Sequence, residues 1–159
     1  MKKRLFGWIV WAAGMGFMAS CLTQCTRKMD GTHEQLTETV DSFAYHYFNY
    51  HLKQACRFCT DDSQKWLELM ASNIEQADVD LLREQENEAE ISYDEIQLLD
   101  TDTLKTIRLT VRNHFVKDSI GKTGRMVKKS AYDIQVVKRQ GKWLVRMASP
   151  LRSEKRSRD

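Results

Sequence analysis

The chain lacks the motifs that identify many enzyme and repeat classes. Its 159 residues contain no serine-nucleophile motif, phosphate-binding loop or metal-binding signature, and no internal repeat is apparent. Proline occurs once, at Pro150, after the last predicted strand. The apolar run over residues 5–19 is 15 residues long, whereas a bilayer-spanning helix needs about 20. These absences argue against solenoids, common nucleotide-binding and metal-dependent enzymes, and a permanent membrane span.

The first 21 residues are typical of a secretion signal. Basic residues at positions 2–4 precede the short apolar run, and small residues precede Cys21. The tetrapeptide Met-Ala-Ser-Cys that ends at Cys21 resembles the lipobox of bacterial lipoproteins. That resemblance implies a diacylglyceryl group on the Cys21 thiol, cleavage directly before Cys21, and acylation of the new amino group with a fatty acid such as palmitate. The alternative is an uncleaved signal anchor.

The residues after Cys21 bear on location. The residue after the cysteine is Leu22; in enterobacterial-type lipoproteins a residue other than aspartate at this position implies export to the outer membrane. Arg27-Lys28 follows, with no acidic cluster. The resemblance therefore implies a protein of the bacterial cell envelope, lipid-anchored in the outer membrane and facing the periplasm. Since one acyl chain gives only marginal membrane binding, triacylation would supply the stable anchor.

Composition predicts one domain on a tether. We expect a signal peptide over residues 1–20, a tether over 21–31, an α+β domain over 32–149 and a charged, disordered tail over 150–159. Residues 21–100 carry 17 acids and 6 bases, whereas residues 101–159 carry 16 bases and 5 acids. The halves can attract each other and form solvated faces, or bind an anionic ligand, or pair head to tail between molecules. The mature chain is formally neutral, so no nucleic-acid partner is expected.

Periodicity places helices before strands. Thr32 is a suitable N-cap with Gln35 as its capping-box partner, and two apolar stripes follow at helical spacing as far as Cys59. A second, shorter helix is predicted to reach Ile74, and further helical turns are predicted in the acidic stretch 75–90. Residues 91–99 are a mixed strand. Alternation over 104–115 and 126–139, and a Gln140-Gly141 turn before the strand at Trp143, complete about four antiparallel strands.

This order indicates an α+β fold, with N-terminal helices packed in a curved antiparallel sheet. The long aromatic first helix, the meander and the closing hairpin around Gly141-Lys-Trp143 resemble the NTF2-like superfamily. Within it, the chain is similar to small bacterial lipoproteins with DUF4878-like or lumazine-binding-like domains. The resemblance implies a cone whose sheet wraps the first helix, a pocket at the open end, and a homodimer through the sheet.

Enzymes of this shape use an aspartate or histidine as a general base. The candidates here are His46, His51, Asp94 and His114. Five residues separate His46 from His51, which predicts different helix faces and no shared metal, and His114 falls on the polar, solvated side of its strand. No cofactor, metal ligand set or catalytic residue is assigned.

Aromatic side chains are the weaker binding candidates. Tyr47, Tyr50, Trp66 and Tyr93 are predicted to lie at the cone mouth, where they would contact a small apolar ligand. Residues at helical spacing are more often core, so the alternative is that they are packing residues.

Cys56 and Cys59 form a CxxC without thioredoxin-like surroundings. We expect a local disulfide or two buried thiols there, not a redox centre.

Three hypotheses follow. The first is a non-enzymatic, lipid-anchored domain that binds a small ligand or an envelope protein. The second is an isomerase- or cyclase-type enzyme, and the third is a structural lipoprotein that self-associates through its acidic and basic halves. The missing catalytic set favours the first.

Overall fold

The residues that the structure describes form four α-helices and one 3₁₀ turn, followed by four strands. A computed structural model describes residues 32–95 and 101–153, without the side chains of residues 94 and 95. The elements in chain order are α1 (His33–Phe48), α2 (Leu52–Ala55), the 3₁₀ turn Cys56–Phe58, α3 (Asp61–Ser72), α4 (Gln76–Glu84), β1 (Glu90–Glu95), β2 (Leu104–Val116), β3 (Arg125–Arg139) and β4 (Lys142–Arg146). The predicted α+β class is confirmed. Cys21 and the signal and tether residues lie outside the described residues.

The first helix begins where its cap predicts. The side chain of Thr32 accepts a hydrogen bond from the backbone N–H of Gln35 at 3.2 Å. The predicted reciprocal bond from Gln35 is wrong. The Gln35 side chain turns inward, where Oε1 accepts from the N–H of Trp143 at 2.8 Å and Nε2 donates to its carbonyl oxygen at 3.3 Å. Gln35 therefore ties the start of α1 to β4.

The first helix ends earlier than its periodicity predicts. The apolar stripes continue to Cys59, but α1 ends at Phe48 because Tyr50 has a left-handed φ of 59°. The chain turns there, and the N–H of His51 donates to the carbonyl oxygen of His46 at 2.8 Å. The short α2 and the 3₁₀ turn carry the rest of the pattern in a new direction.

Two further helices flank this turn. The predicted second helix is α3, and the acidic stretch contains α4, whose N-terminus has a capping box between Glu75 and Asp78. Asp78 is fully buried although its neighbours in α4 are half-buried or exposed.

The strands form one antiparallel sheet in the order β1-β2-β3-β4. The longest ladder joins β2 and β3, in which Leu104 faces Val137 and Val116 faces Arg125. The alternation predicted for the inner face holds for most of the sheet: the side chains buried there include Ile107, Leu109, Val111, Tyr132, Ile134, Val136, Trp143 and Val145.

The core lies between this inner face and α1. Phe43 and Ala44 of α1 are fully buried against it, and Leu67 of α3 is only 1% exposed. Leu151, which was predicted to belong to the tail, packs against the core and donates its N–H to the Tyr47 hydroxyl at 2.9 Å. Within residues 32–95 and 101–153, no helix combines the length and apolarity that crossing a bilayer requires.

Candidate functional site

A buried histidine–tyrosine pair lies at the C-terminal end of α1. His114 is 0% exposed, and its Nε2 is 2.7 Å from the hydroxyl of Tyr132, which is 3% exposed. Phe48 packs edge-on against the imidazole, with 5.6 Å between ring centroids. Nδ1 of His114 is buried and has no hydrogen-bond partner among the described residues. Burial, with a smaller effect of Arg125, lowers the pKa of His114 to about 4, so the imidazole is neutral at neutral pH.

The prediction that His114 is solvated is wrong. The residue before it, Asn113, has a left-handed φ of 49°, which interrupts the alternation of β2. His114 and Phe115 are consequently both buried, although adjacent residues of a regular strand point to opposite faces. The Asn113 carbonyl oxygen accepts a hydrogen bond from Gln85 Nε2 at 2.7 Å.

A buried carboxylate beside this pair clamps the β2–β3 loop. Asp78 of α4 forms an ion pair with Lys117 at the end of β2, and both side chains are at most 7% exposed. Its Oδ1 accepts the backbone N–H of Gly124 at 2.7 Å, and Oδ2 accepts that of Glu75 at 3.0 Å. Burial opposes ionisation, but these donors hold the pKa of Asp78 below its usual value.

Aromatic packing closes the same corner. Tyr50 meets Phe115 edge-on at 5.0 Å between centroids. Gly124 lies against the Phe115 ring so closely that a Cβ would stand 2.0 Å from its Cζ. Burial, and then the nearby charge of Asp78, raises the pKa of Tyr50. We call the buried side chains of His114, Tyr132, Asp78 and Lys117 the polar cluster. Aromatic packing around it leaves His114 without exposed surface in the described arrangement.

His46 and His51 are brought together, contrary to the prediction of separate faces. Their ring centroids are 5.8 Å apart because the chain reverses at Tyr50. His46 also stacks on Phe58 at 5.9 Å. Burial, then the charges of His51 and Arg57, lowers the pKa of His46. Among the described residues, no group of three histidine, cysteine or acidic side chains is arranged to hold a metal ion.

The four aromatic candidates lie in different surroundings. Tyr47 is 5% exposed and stacks on Phe43, whereas Tyr50 packs on Phe115. Trp66 lies on α3 beneath the ammonium of Lys65, and Tyr93 is 41% exposed on β1.

Two surface depressions are described, and none of these four residues lines either one. One, of about 750 Å³, runs along the polar face of α1 from His33 to Ser42. The other, of about 200 Å³, is lined by Asn49, His51, Leu82, Gln85 and Glu88. The ligand role of the aromatic residues stays a prediction.

The cysteines of the described residues are free thiols. Cys59 is buried, and its Sγ donates to the carbonyl oxygen of Cys56 at 3.5 Å. Burial raises the pKa of the Cys59 thiol to about 12 and also raises that of Cys56. Both groups are therefore poor nucleophiles at neutral pH. The side chain of the remaining base candidate, Asp94, is outside the described residues.

Sequence reasoning missed the polar cluster for identifiable reasons. Asp78 sits in an acidic stretch that reads as solvated, and nothing in that stretch distinguishes it from Asp80. An asparagine inside a β pattern was the available signal for Asn113, since asparagine tolerates left-handed φ better than most residues.

Comparison with known proteins gives one distant structural likeness. No family model matches the chain, and no curated protein matches it in sequence. The crystal structure of an NTF-2 like protein of unknown function from Shewanella oneidensis MR-1 aligns with a TM-score of 0.45 and 10% identity, covering 70% of this chain and 92% of that one. A likeness at this level says nothing about activity.

Proposed function

We propose that this protein is a bacterial envelope lipoprotein in which an NTF2-like domain, tethered through lipidated Cys21, acts as a non-enzymatic binding module. The observation that carries the choice of a surface site over an interior site is the filled interior of the domain. The anchor is supported by the Met-Ala-Ser-Cys tetrapeptide after a 15-residue apolar run. We place the domain in the periplasm, on the outer membrane.

The inner face of the sheet is occupied by the protein's own side chains. Phe43, Leu109 and Ile134 are fully buried between α1 and the sheet. The Tyr47 hydroxyl, which could orient a ligand in a pocket, is already bonded to the N–H of Leu151. A protein packed in this way binds through its surface, which favours an envelope partner over a small apolar ligand inside the cone.

The position of His114 also supports a non-enzymatic role. His114 is sealed behind Phe48 and Tyr132, and a general base must come within hydrogen-bond reach of its substrate. An enzyme of the isomerase or cyclase type would require this corner to open. Three observations favour that alternative: Nδ1 of His114 and Nδ1 of His46 are both buried without a hydrogen-bond partner among the described residues, and His51 lines a surface depression.

Intact mass spectrometry of the protein purified from its native membrane tests the anchor. We expect the mass of residues 21–159 plus a diacylglyceryl group and an amide-linked acyl chain. Cys21→Ala should abolish the modification, whereas Cys25→Ala, a matched change four residues away, should retain it. An uncleaved and unmodified wild-type chain would mean a signal anchor and would overturn the proposal.

A further inference from the structure

The side of the sheet that faces away from the helices is strongly basic. The ladders place residues 108 and 112 of β2 opposite 133 and 129 of β3, and residue 135 of β3 opposite 146 of β4, all on the side turned away from the core. We call this side the outer sheet face. Its described charged side chains are Arg108, Arg112, Lys129, Arg139, Lys142 and Arg146, with Glu90 and Asp133 as the acids.

Most of this positive charge has no counter-charge among the described side chains. Arg108 forms an ion pair with Asp133 at 2.9 Å, and Glu90 lies opposite Arg112 in the ladder. The other four bases are Lys129, Arg139, Lys142 and Arg146. All four are exposed or largely so, and in the part of the chain that the structure describes none of them has an ion-pair partner.

The β2–β3 loop lies at one end of the sheet and is held by α4 of the helical layer, so its side chains are not counted on the outer sheet face. Lys122 is exposed in this loop, and Arg125, the first residue of β3, forms an ion pair with Asp118 at 3.2 Å. Ile120 is 73% exposed in the same loop and makes no contact with the core cluster. The buried Asp78 fixes both ends of the loop, so the loop is held in place while its apolar side chain remains in solvent.

A second copy of the chain is a poor occupant of the outer sheet face. In a two-fold symmetric dimer a surface patch meets itself, so these unpaired bases would face the same bases of the partner. Like charges opposed in this way are unfavourable. The expected homodimer through the sheet is therefore disfavoured by the charges that the sheet carries.

An anionic bilayer has the opposite charge and the right form. We propose that the outer sheet face docks on anionic phospholipid, with the helical layer turned away from the membrane. Basic side chains near such a surface are attracted to its negative charge, and this attraction weakens with salt. This inference rests on the proposed function, because the Cys21 anchor holds the domain beside the bilayer.

The tether is long enough for this arrangement. The start of α1 lies beside β4, as the bonds of Gln35 to Trp143 show. Residues 22–32 can span at most about 36–40 Å when extended. A domain lying with its sheet on the membrane needs no more than this, because β4 is then close to the headgroups.

Lysine footprinting of the full, lipidated chain tests the docking. The protein is added to preformed vesicles of phosphatidylcholine alone or with one third phosphatidylglycerol, and acetylation is measured by mass spectrometry. We expect acetylation of Lys129 and Lys142 to fall about threefold or more on the anionic vesicles, and to recover in about 0.5 M salt. Lys53 and Lys65, which are exposed in the helical layer, should not change.

Charge reversal supplies the matched control. Arg139→Glu/Arg146→Glu should abolish the protection of Lys129 and Lys142, whereas Arg57→Glu/Arg83→Glu makes the same charge change in the helical layer and should preserve it. Protection that is equal on both vesicle types would indicate an interface between copies and would overturn the inference. If the protein floats with the anionic vesicles but Lys129 and Lys142 are not protected, the inference is also overturned, whereas the Cys21 anchor is still supported. Failure to float with neutral vesicles would instead count against the proposed function.

Discussion

The helical layer and the strands that follow it carry opposite charges. Residues 33–84 contain ten acids and four bases, whereas residues 104–146 contain twelve bases and two acids. Among the described side chains only one ion pair, Asp78–Lys117, joins the two groups, and it is buried. Six of the twelve bases lie on the outer sheet face, which is turned away from the helical layer. The attraction between the two halves therefore contributes at one point, and elsewhere the segregation makes two chemically different surfaces.

Breaking the buried ion pair between Asp78 and Lys117 should have the largest effect on stability. Asp78→Ala removes the acceptor of Lys117 and of the Gly124 N–H and leaves a buried ammonium unpaired, which costs about 3–5 kcal/mol. Chemical denaturation of the full chain in detergent measures this loss. Asp80→Ala, on the exposed side of the same helix, should cost less than about 0.5 kcal/mol. Equal effects would show that this ion pair does not hold the layers together.

Acid should destabilise the interior between the layers. The pKa of His114 is about 4 in the folded protein and about 6.5 in the unfolded chain. Between these two pH values the unfolded chain therefore binds a proton at His114 and the folded protein does not. Stability from this group is complete above about pH 6.5 and is lost as pH falls toward 4, by at most about 3 kcal/mol.

The difference in unfolding free energy between pH 7.5 and pH 4.5 isolates that contribution. In His114→Gln this difference should shrink, and in His33→Gln, where the histidine is exposed at the start of α1, it should stay as in the wild type. An unchanged pH dependence in His114→Gln would contradict the burial of a neutral imidazole.

A second connection between the layers is uncharged and should contribute less. Gln35→Leu leaves the N–H of Trp143 buried without its acceptor, at a cost of about 1–3 kcal/mol. The unfolding free energy of this variant is compared with that of Glu38→Leu, an exposed change on the same helix. If Gln35→Leu is neutral, the hydrogen bonds of Gln35 do not stabilise the contact between α1 and β4.

The smallest effect on stability should come from the outer sheet face. Asp133→Asn removes one partner of Arg108, in a pair that is 38% exposed on each side, and such pairs contribute about 0–1 kcal/mol. The same change makes the face more basic. We therefore expect nearly unchanged unfolding together with stronger protection of Lys129 on anionic vesicles; weaker protection would contradict the role of charge in docking.

Much of the fold was predictable because its signals are local. Period-two alternation located β2, β3 and β4, and the capping residue Thr32 located the start of α1. These features depend on residues that are close together in the sequence, so they can be read from a single sequence. The prediction of the four-stranded antiparallel sheet is confirmed by the register of its strands.

The surroundings of the histidines were not predictable because they depend on two single-residue backbone conformations. The left-handed φ of Tyr50 ends α1 inside an unbroken apolar pattern and brings His51 beside His46. That of Asn113 turns His114 into the core. Whether Asp78 is buried depends on Lys117, 39 residues away, which no local pattern records.

Neutron reflectometry of the full, lipidated chain on supported bilayers tests the docked arrangement most directly. With the sheet on the membrane, one sheet and one helical layer give a protein layer of about 25 Å. Standing on end, the 15 residues of β3 alone span about 50 Å. We predict the thin layer, in contact with the headgroups, on bilayers that contain phosphatidylglycerol, and a thicker, more diffuse layer on phosphatidylcholine alone. A thick layer on both bilayers would contradict the docking of the outer sheet face.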